Sequence, residues 1–293
     1  MCVLRHIERP RPDSAIQDNR MNLSTERGSV LLGAYSLVRR SGFLRTSLGR
    51  RLFKSAYFAY KRYLEDDLRG LVIAFPEILG GGNILDIGAN IGYTAAVLAR
   101  AAERDCKVYA FEPEPFNFRL LQQTAQEGRF GGRIVPLQLA VGAENETIDL
   151  WINDSHHADH RVVTEEFGSA HPGEKKVSVS LVSIDSFLGD KPGAVSFVKI
   201  DVQGYELAVC QGIENTLKQN LDITVLLEYM PSAMCELGFE PLHLIDFFAE
   251  RGFKVYQIHP RGKLSVGVPA DMKSSSYCDL LFSRRDLLGG KKA

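Results

Sequence analysis

Short apolar runs alternate along this chain with segments whose apolar residues recur at helical spacing. An apolar run of about four to eight residues predicts a buried strand, and a repeat of three or four residues predicts a helix. Their alternation predicts parallel strands joined by helices, which is a doubly wound α/β sheet. The predicted strands are Asn83–Ile87, Lys107–Phe111, Arg133–Ala140, Val195–Val202, Asp222–Tyr229, Phe253–Ile258 and Ser276–Ser283, and the predicted helices are Ile91–Ala101, Phe116–Gln126, Tyr205–Lys218 and Pro241–Glu250.

Two further segments, Thr147–Ile152 and Lys176–Leu181, alternate strictly between apolar and polar residues. This pattern is typical of a sheet with one exposed face, so we expect a small antiparallel insertion joined by the polar loop Asn153–Gly173. In the main sheet, Pro136 lacks the N–H that a central strand needs. Its strand is therefore predicted at an edge.

The region before the first strand is distinguished by its charge. No Asp or Glu occurs from Arg27 to Arg62, whereas nine basic residues do: Arg27, Arg39, Arg40, Arg45, Arg50, Arg51, Lys54, Lys61 and Arg62. Apolar residues at helical spacing, such as Leu44, Leu48 and Leu52, favour helices that pack on the main domain and leave a solvated basic face. Such a face also suits an anionic substrate or an anionic membrane surface.

These patterns divide the chain into four parts. We expect a disordered tail at residues 1–26, a basic amphipathic helical extension at 27–79, the α/β domain at 80–284 and a basic tail at 285–293.

Composition narrows the classes of protein. The chain of 293 residues has a net charge of −1, which argues against a dedicated nucleic-acid-binding protein. The five cysteines (Cys2, Cys106, Cys210, Cys235 and Cys278) contain no Cys-x-x-Cys pair. Their scatter favours free thiols in a cytoplasmic protein, without a zinc site or a disulfide framework. The apolar run Val30–Val38 is too short to span a bilayer.

A glycine-rich turn, DIGANIG, connects the first predicted strand to the first predicted helix. Gly88 and Gly92 allow a ligand to approach bare backbone, and the helix start offers unpaired N–H groups. Asn90 stands where a dinucleotide fingerprint has its second glycine. Asp86 would repel a pyrophosphate but not a cofactor that carries an ammonium group. Glu112 ends the next strand, where a carboxylate meets ribose hydroxyls in such folds.

The segments DIGANIG and VYAFEPEPFNFRLL together resemble the S-adenosylmethionine site of class I methyltransferases, and KIDVQGYELAVCQG at Lys199–Gly212 resembles the FkbM-like family of these enzymes. The resemblance covers about Tyr63 to Phe282 and implies a Rossmann-like class I methyltransferase sheet. It also implies O-methylation of a small molecule, sugar or glycan. In that family a glutamate usually occupies the position of Gln203, so this chain lacks one negative charge.

The resemblance also implies roles for residues near the cofactor. It places Asp86, Gly88, Asn90 and Gly92 around the methionine part of S-adenosylmethionine, Glu112 at the ribose, and Ala140 with Val141 near the adenine.

Two carboxylates are candidates for the chemistry. Asp201 and Glu228 end strands that should be neighbours, and ligands of open α/β sheets bind at these ends. Methyl transfer to a hydroxyl needs alignment and removal of a proton, so we expect Asp201 to act as a base or to orient the substrate. The alternatives are that Asp201 caps the next helix or pairs with Lys199. A Mg²⁺ ion held by both carboxylates is the less favoured mechanism, and no metal ligand is assigned.

Three histidines, His156, His157 and His160, lie close together in one polar loop and provide a second possible source of a base. His156 and His160 would share one face if the loop were helical, where a bound metal ion is conceivable. Surface histidines without a catalytic role are the favoured explanation, so none is assigned.

Two other functions stay open at this point. A nicotinamide- or nucleotide-sugar-binding oxidoreductase shares the strand–loop–helix pattern, but Asn90 disfavours it. A non-catalytic S-adenosylmethionine-binding protein would keep the fold without the reaction. The acceptor and the oligomeric state are not determined by these patterns.

Overall fold

The computed structural model of this chain describes residues 43–64, 67–153, 159–189, 194–268 and 277–289. The predicted tail 1–26, residues 27–42 of the basic extension, and His156 and His157 lie outside the described residues. Residues 43–50 belong to one compact unit, and residues 51–153 and 159–289 belong to a second, which contains all of the described strands.

The described elements alternate as predicted. The helices are α1 Ser47–Leu64, α2 Asp67–Ala74, α3 Tyr93–Ala101, α4 Pro115–Ala125, α5 Glu165–Ala170, α6 Ile184–Leu188, α7 Glu206–Gln211, α8 Glu214–Gln219, α9 Pro231–Glu236 and α10 Pro241–Ala249. The strands are β1 Asn83–Ile87, β2 Val108–Phe111, β3 Ile134–Leu137, β4 Ala140–Val141, β5 Glu146–Trp151, β6 Arg161–Val162, β7 Lys176–Val182, β8 Val195–Ile200, β9 Thr224–Tyr229, β10 Lys254–His259, β11 Lys263–Val266 and β12 Cys278–Ser283. Within the described ranges, no helix has both the length and the apolar character needed to cross a bilayer.

The main sheet has eight strands in the order β11-β10-β12-β9-β8-β1-β2-β3. Strands β3, β2, β1, β8 and β9 are parallel neighbours, and β12 runs antiparallel to both β9 and β10. This confirms the predicted doubly wound sheet with an antiparallel strand near its closing edge. Strand β3, which contains Pro136, lies at the other edge as predicted. The strand order reverses beside β1, and ligands of open α/β sheets bind at such a switch point.

Helices cover the two faces of this sheet and form two apolar cores. On one face, Leu71 of α2, Ala95 of α3 and Leu121 of α4 are fully buried with Ile84 and other inward residues of the sheet. On the other face, the buried residues of α7, α8 and α10 pack against Leu85, Val198 and their neighbours. The sheet is therefore the middle layer of three, and its strands read as continuous apolar runs because both faces are buried.

The predicted antiparallel insertion is present as β5 paired with β7 in a second, four-stranded sheet. Two boundaries near it were predicted wrongly. The strand expected at Arg133–Ala140 ends at Leu137, and Ala140 and Val141 instead pair with β7 in the second sheet. The expected irregular loop Asn153–Gly173 contains β6 and α5.

The single helix expected at Tyr205–Lys218 is divided into α7 and α8 at Gly212. A Cβ atom on Gly212 would lie 1.9 Å from the carbonyl oxygen of Gly142, so the chain passes this point only with glycine. This contact joins segments that are distant in sequence, so helical periodicity could not reveal it.

The described part of the basic extension contains a short 3₁₀ turn, Phe43–Arg45, the helices α1 and α2, and a second 3₁₀ turn, Pro76–Leu79. The predicted apolar stripe is wrong for Leu48 and Leu52, which are 61% and 54% exposed. Further along α1, Phe58 does pack on the main core, with its ring 5.3 Å from that of Tyr93 in an edge-to-face contact.

Candidate functional site

Charged side chains converge where the parallel strands end. Asp86 of β1 lies opposite Lys199 of β8 in the sheet register, and Glu228 of β9 lies opposite Asp279 of β12. Asp201 follows the last residue of β8 directly. Residues opposite one another or two apart on a strand share a sheet face, so these five side chains occupy one face of one edge.

The glycine turn between β1 and α3 is held by hydrogen bonds to the end of β2. The N–H groups of Gly88 and Ala89 both donate to the carbonyl of Phe111, at 3.0 and 2.9 Å. Gly88, Asn90 and Gly92 have φ angles of 79°, 49° and 88°, which favour glycine or asparagine. This geometry explains why Asn90 can replace the second glycine of a dinucleotide fingerprint.

Two of these glycines are also required by packing within the chain. A Cβ atom on Gly88 would lie 1.8 Å from the carbonyl oxygen of Asp201, and one on Gly92 would lie 2.8 Å from a methyl group of Leu121. Gly88 therefore allows the ends of β1 and β8 to approach each other. This packing role is separate from any contact that the turn makes with a ligand.

Glu112 connects the glycine turn to the second strand. Its Oε2 accepts the N–H of Asn90 at 2.8 Å, and its Oε1 accepts the N–H of Glu114 at 3.0 Å. Burial raises the pKa of Glu112 to about 8, against the opposing effect of these two N–H groups. Each carboxyl oxygen retains a second lone pair, so the group can still accept hydroxyl protons.

Asp86 is fully buried, and neither of its carboxyl oxygens has a partner within hydrogen-bond geometry, although the backbone N–H of Ala95 lowers its pKa. Burial raises the pKa of Asp86 to about 6, while the charge of Lys199 lowers it. The buried Oδ1 of Asn90 also has no partner. Buried polar atoms without partners are costly, so the side chains of Asp86 and Asn90 point to a ligand that satisfies them.

Asp201 is held from two sides. Lys199 donates to its Oδ2 at 2.6 Å, and the Nε2 of Gln203 donates to its Oδ1 at 2.8 Å. The pairing with Lys199 is one of the alternatives that the sequence left open. Burial alone would raise the pKa of Asp201, but Lys199 and Gln203 outweigh this effect and lower it.

Glu228 has the opposite electrostatic environment. The Nε2 of Gln203 also donates to its Oε2 at 2.9 Å, so one amide joins Asp201 to Glu228. Burial raises the pKa of Glu228 well above its usual value, and the charges of Asp201 and Asp279 raise it further. A pair of carboxylates whose pKa values diverge is typical of catalytic sites. Glu228 is the stronger proton acceptor of the two.

Asp279 and Lys61 complete the cluster, and sequence reasoning missed both. Burial raises the pKa of Asp279 to about 6, whereas Lys199 and, to a lesser extent, Lys61 lower it. Lys61 belongs to α1 and lowers the pKa of Asp201 as well. The signal for Asp279 was a charged residue near the start of an otherwise apolar strand. Lys61 gave no distinguishing signal among nine basic residues.

The remaining candidates are Ala140, Val141 and His160. Ala140 and Val141 are buried in β4 of the second sheet. The Nδ1 of His160 accepts the N–H of Asn153 at 3.2 Å. Among the described residues, no group of three or more His, Cys, Asp or Glu side chains has a geometry that could hold a metal ion.

Comparison with known proteins identifies relatives of this chain. A family model described as the methyltransferase FkbM domain matches residues 86–255. The hexuronic acid methyltransferase AglP of Haloferax volcanii is 31% identical over 159 residues, which cover 52% of this chain and 60% of the relative. The chain thus spans less than two thirds of that curated relative.

Two solved structures are similar at low identity. A methyltransferase FkbM from Methylobacillus flagellatus KT has 15% identity and a TM-score of 0.43, over 69% of this chain and 43% of that one. A SAM-dependent O-methyltransferase from Thermotoga maritima has 15% identity and a TM-score of 0.38, over 76% and 65% of the two chains.

Proposed function

Because this chain belongs to the FkbM methyltransferase family, we propose that it is an S-adenosylmethionine-dependent O-methyltransferase whose acceptor is a hydroxyl group of a sugar or glycan. The observation that carries this proposal is the buried, unpartnered carboxylate of Asp86 beside a glycine turn and a second cluster of carboxylates.

The cofactor fits the groups on the first two strands. Asp86 would pair with the ammonium group of the methionine part, and the glycine turn would lie against its backbone. Glu112 would accept the ribose hydroxyls, and Ala140 and Val141 would contribute apolar surface near the adenine. When bound, S-adenosylmethionine supplies a methyl group on a sulfonium, which needs no further activation as an electrophile.

The neighbouring carboxylates would act on the acceptor. Glu228, with its raised pKa, would take the proton of the acceptor hydroxyl as the general base. Asp201, fixed by Lys199 and Gln203, would orient the hydroxyl toward the methyl group. This assignment reverses the emphasis that the sequence placed on Asp201, because its ion pair makes it the weaker base.

An acidic sugar is the acceptor class that we favour. Support comes from the relative whose name states a hexuronic acid as its substrate. Lys61, which lies near Asp201 and Asp279, is a cation that could meet the carboxylate of such a sugar. The cytoplasm is the compartment that we propose, since Cys106, Cys210, Cys235 and Cys278 are free thiols.

The test is transfer of a labelled methyl group from S-adenosylmethionine to hexuronic acids and to glycans that contain them. We expect transfer to the acid sugar and loss of at least about tenfold in kcat for Glu228→Gln, while cofactor affinity is retained. Exhaustive EDTA treatment should leave the rate unchanged. A rate that falls on chelation and returns with Mg²⁺ would replace the metal-free base with a metal-assisted mechanism.

A further inference from the structure

The inner side of helix α1 contains two lysines among the half-buried aromatic residues Phe53, Tyr57, Phe58 and Tyr60. Lys54 makes an ion pair of 2.8 Å with Glu127, and its side chain is 14% exposed. Lys61 lies near the carboxylates Asp201 and Asp279. Phe58, between the two lysines in the helical repeat, packs on Tyr93. Both lysines of this stretch are therefore turned toward the protein.

The outer face of the same helix contains a line of apolar residues. Leu52 and Tyr63 are 54% and 77% exposed, and Ala56 and Ala59 between them are exposed as well. Residues at positions 52, 56, 59 and 63 follow one line along a helix, because eleven residues make about three turns. This apolar line needs an explanation other than packing within the described unit.

Arginines surround the apolar line. Arg51 and Arg62 are exposed on α1 itself, and Arg69 of α2 is followed one turn later by Ile73, which is 69% exposed. These exposed apolar residues and arginines, together with the exposed Arg100 of α3, form one patch that we call the outer surface: Leu52, Tyr63, Ile73, Arg62, Arg69 and Arg100.

Arg100 and Arg129 extend this positive surface. Their guanidinium groups lie 5.5 and 5.0 Å from the ring centre of Phe130, so the two cations share one ring. Burial lowers the pKa of Arg100, and the positive charges of Arg129, Arg62 and Arg69 near it lower it further. Glu127 provides an opposing charge, and it is already paired with Lys54 and Arg129.

We propose that the outer surface docks on an anionic phospholipid membrane, with α1 lying along the interface. Apolar side chains that protrude among arginines match a bilayer surface, where they enter the acyl boundary while the cations meet the phosphates. A soluble polyanion would use the arginines but leave Leu52, Tyr63 and Ile73 without a role. The membrane uses both kinds of residue.

The test is flotation of the full chain with phosphatidylcholine vesicles, with or without about one third phosphatidylglycerol. We expect the protein to float with the anionic vesicles and not with the neutral ones. Salt at about 0.5 M should release most of it, because the Debye length then falls to a few ångströms. Failure to bind anionic vesicles, or equal binding to neutral vesicles, would overturn the proposal.

Variants separate the two kinds of contact. Leu52→Ser with Tyr63→Ser removes the apolar line, and Arg62→Glu with Arg69→Glu and Arg100→Glu reverses the charge. Each set should weaken vesicle binding by at least about tenfold, since one basic residue near such a surface contributes about a factor of five and a buried apolar side chain contributes about a factor of ten or more. If only the arginine set weakened binding, the surface would be a polyanion site and the membrane proposal would fail.

Matched controls lie on the other side of the sheet. Leu242→Ser removes an apolar side chain that is 63% exposed on α10, and Lys218→Glu reverses a charge on α8 whose side chain is 62% exposed. Both should bind vesicles like the wild type, and every variant should keep its melting temperature and cofactor affinity. Two further outcomes would also contradict membrane docking. Binding that appears only after deletion of residues 1–42 would identify that segment as the cover, and a dimer lost in the Leu52 and Tyr63 variant would identify a second copy.

Discussion

At the scale of single residues, the buried carboxylate of Asp86 sets a pH limit on cofactor binding. Its pKa, raised to about 6 by burial, means that it is protonated below that pH and cannot pair with an ammonium group. We expect the affinity for S-adenosylmethionine to fall about tenfold for each pH unit below 6. Asp86→Asn should lower the affinity by about tenfold or more and remove this pH dependence.

Calorimetric titrations between pH 5 and 8 would measure both effects. Asp149→Asn, on the insertion sheet, is the control and should retain the wild-type profile. Equal affinity at all pH values in the wild type would show that Asp86 does not hold the ammonium group.

A second residue-scale prediction concerns Asp279, which lies opposite Glu228 on the neighbouring antiparallel strand. The groups that act on Glu228 are Asp201, Asp279, Lys199 and Glu206, with Gln203 as its hydrogen-bond donor. Burial is the main cause of its raised pKa, and Asp279 adds to it. Asp279→Asn should therefore move the acidic limb of the kcat profile to lower pH.

The difference in kcat between the wild type and the variant should shrink below about pH 6, because Asp279 itself becomes protonated there. Asp105→Asn, at an exposed position, is the control. A merely structural role for Asp279 would lower kcat equally at every pH. An acidic limb that stays at the wild-type pH in the variant would therefore reject the proposed coupling.

At the scale of elements, the contact between the ends of β1 and β8 depends on Gly88. Gly88 and Gly81 have similar φ angles of 79° and 75°, but their surroundings differ. A Cβ atom added to Gly88 would lie 1.8 Å from a backbone oxygen, whereas one added to Gly81 would meet no atom within 4 Å. Gly81→Ala should cost about 1 kcal/mol through its φ angle alone. Gly88→Ala should cost at least about 3 kcal/mol, because the two strands must also separate.

Urea unfolding of both variants would measure these costs. The difference between the two free energies measures the steric contact at Gly88, because both variants share the cost of a Cβ atom at positive φ. If the two variants lost the same free energy of unfolding, the close approach of β1 to β8 at Gly88 would not contribute to stability.

At the scale of the whole molecule, the helix α2 and the turn after it belong to the main core. Leu71, Val72, Phe75, Ile78 and Leu79 are all buried in the cluster that includes α3 and α4. Each buried side chain of this kind contributes about 1.5–3 kcal/mol, so their joint loss approaches the entire stability of a typical domain. A chain that begins at residue 80 should not fold, although the sequence placed the start of the α/β domain there.

A chain that begins at residue 51 should keep its circular dichroism and its affinity for S-adenosylmethionine. It retains α2 and most of α1, including Phe58 and its contact with Tyr93. Cooperative folding of the chain that begins at residue 80 would show that the segment before it is an independent extension after all.

Much of the fold could be predicted from the sequence because its signals are local. The apolar runs, the glycine turn and the helix that follows it lie within Asn83–Arg100, and the same pattern repeats along the chain. Proline in β3 indicated a sheet edge, and strict alternation indicated the antiparallel insertion. The positions of Asp86, Asp201 and Glu228 at strand ends followed from the strand assignments. Parallel topology then brought them to one edge.

Tertiary structure alone decided the rest, because the deciding contacts join segments that are distant in sequence. The need for glycine at position 212 results from its contact with the backbone of Gly142, and the environment of Glu228 depends on Asp279 in the last strand. Periodicity shows that a helix has two faces, but not which face the fold buries. For α1 the fold turned Lys54 inward and Leu52 outward, because Glu127, the partner of Lys54, lies on the inner side of the helix.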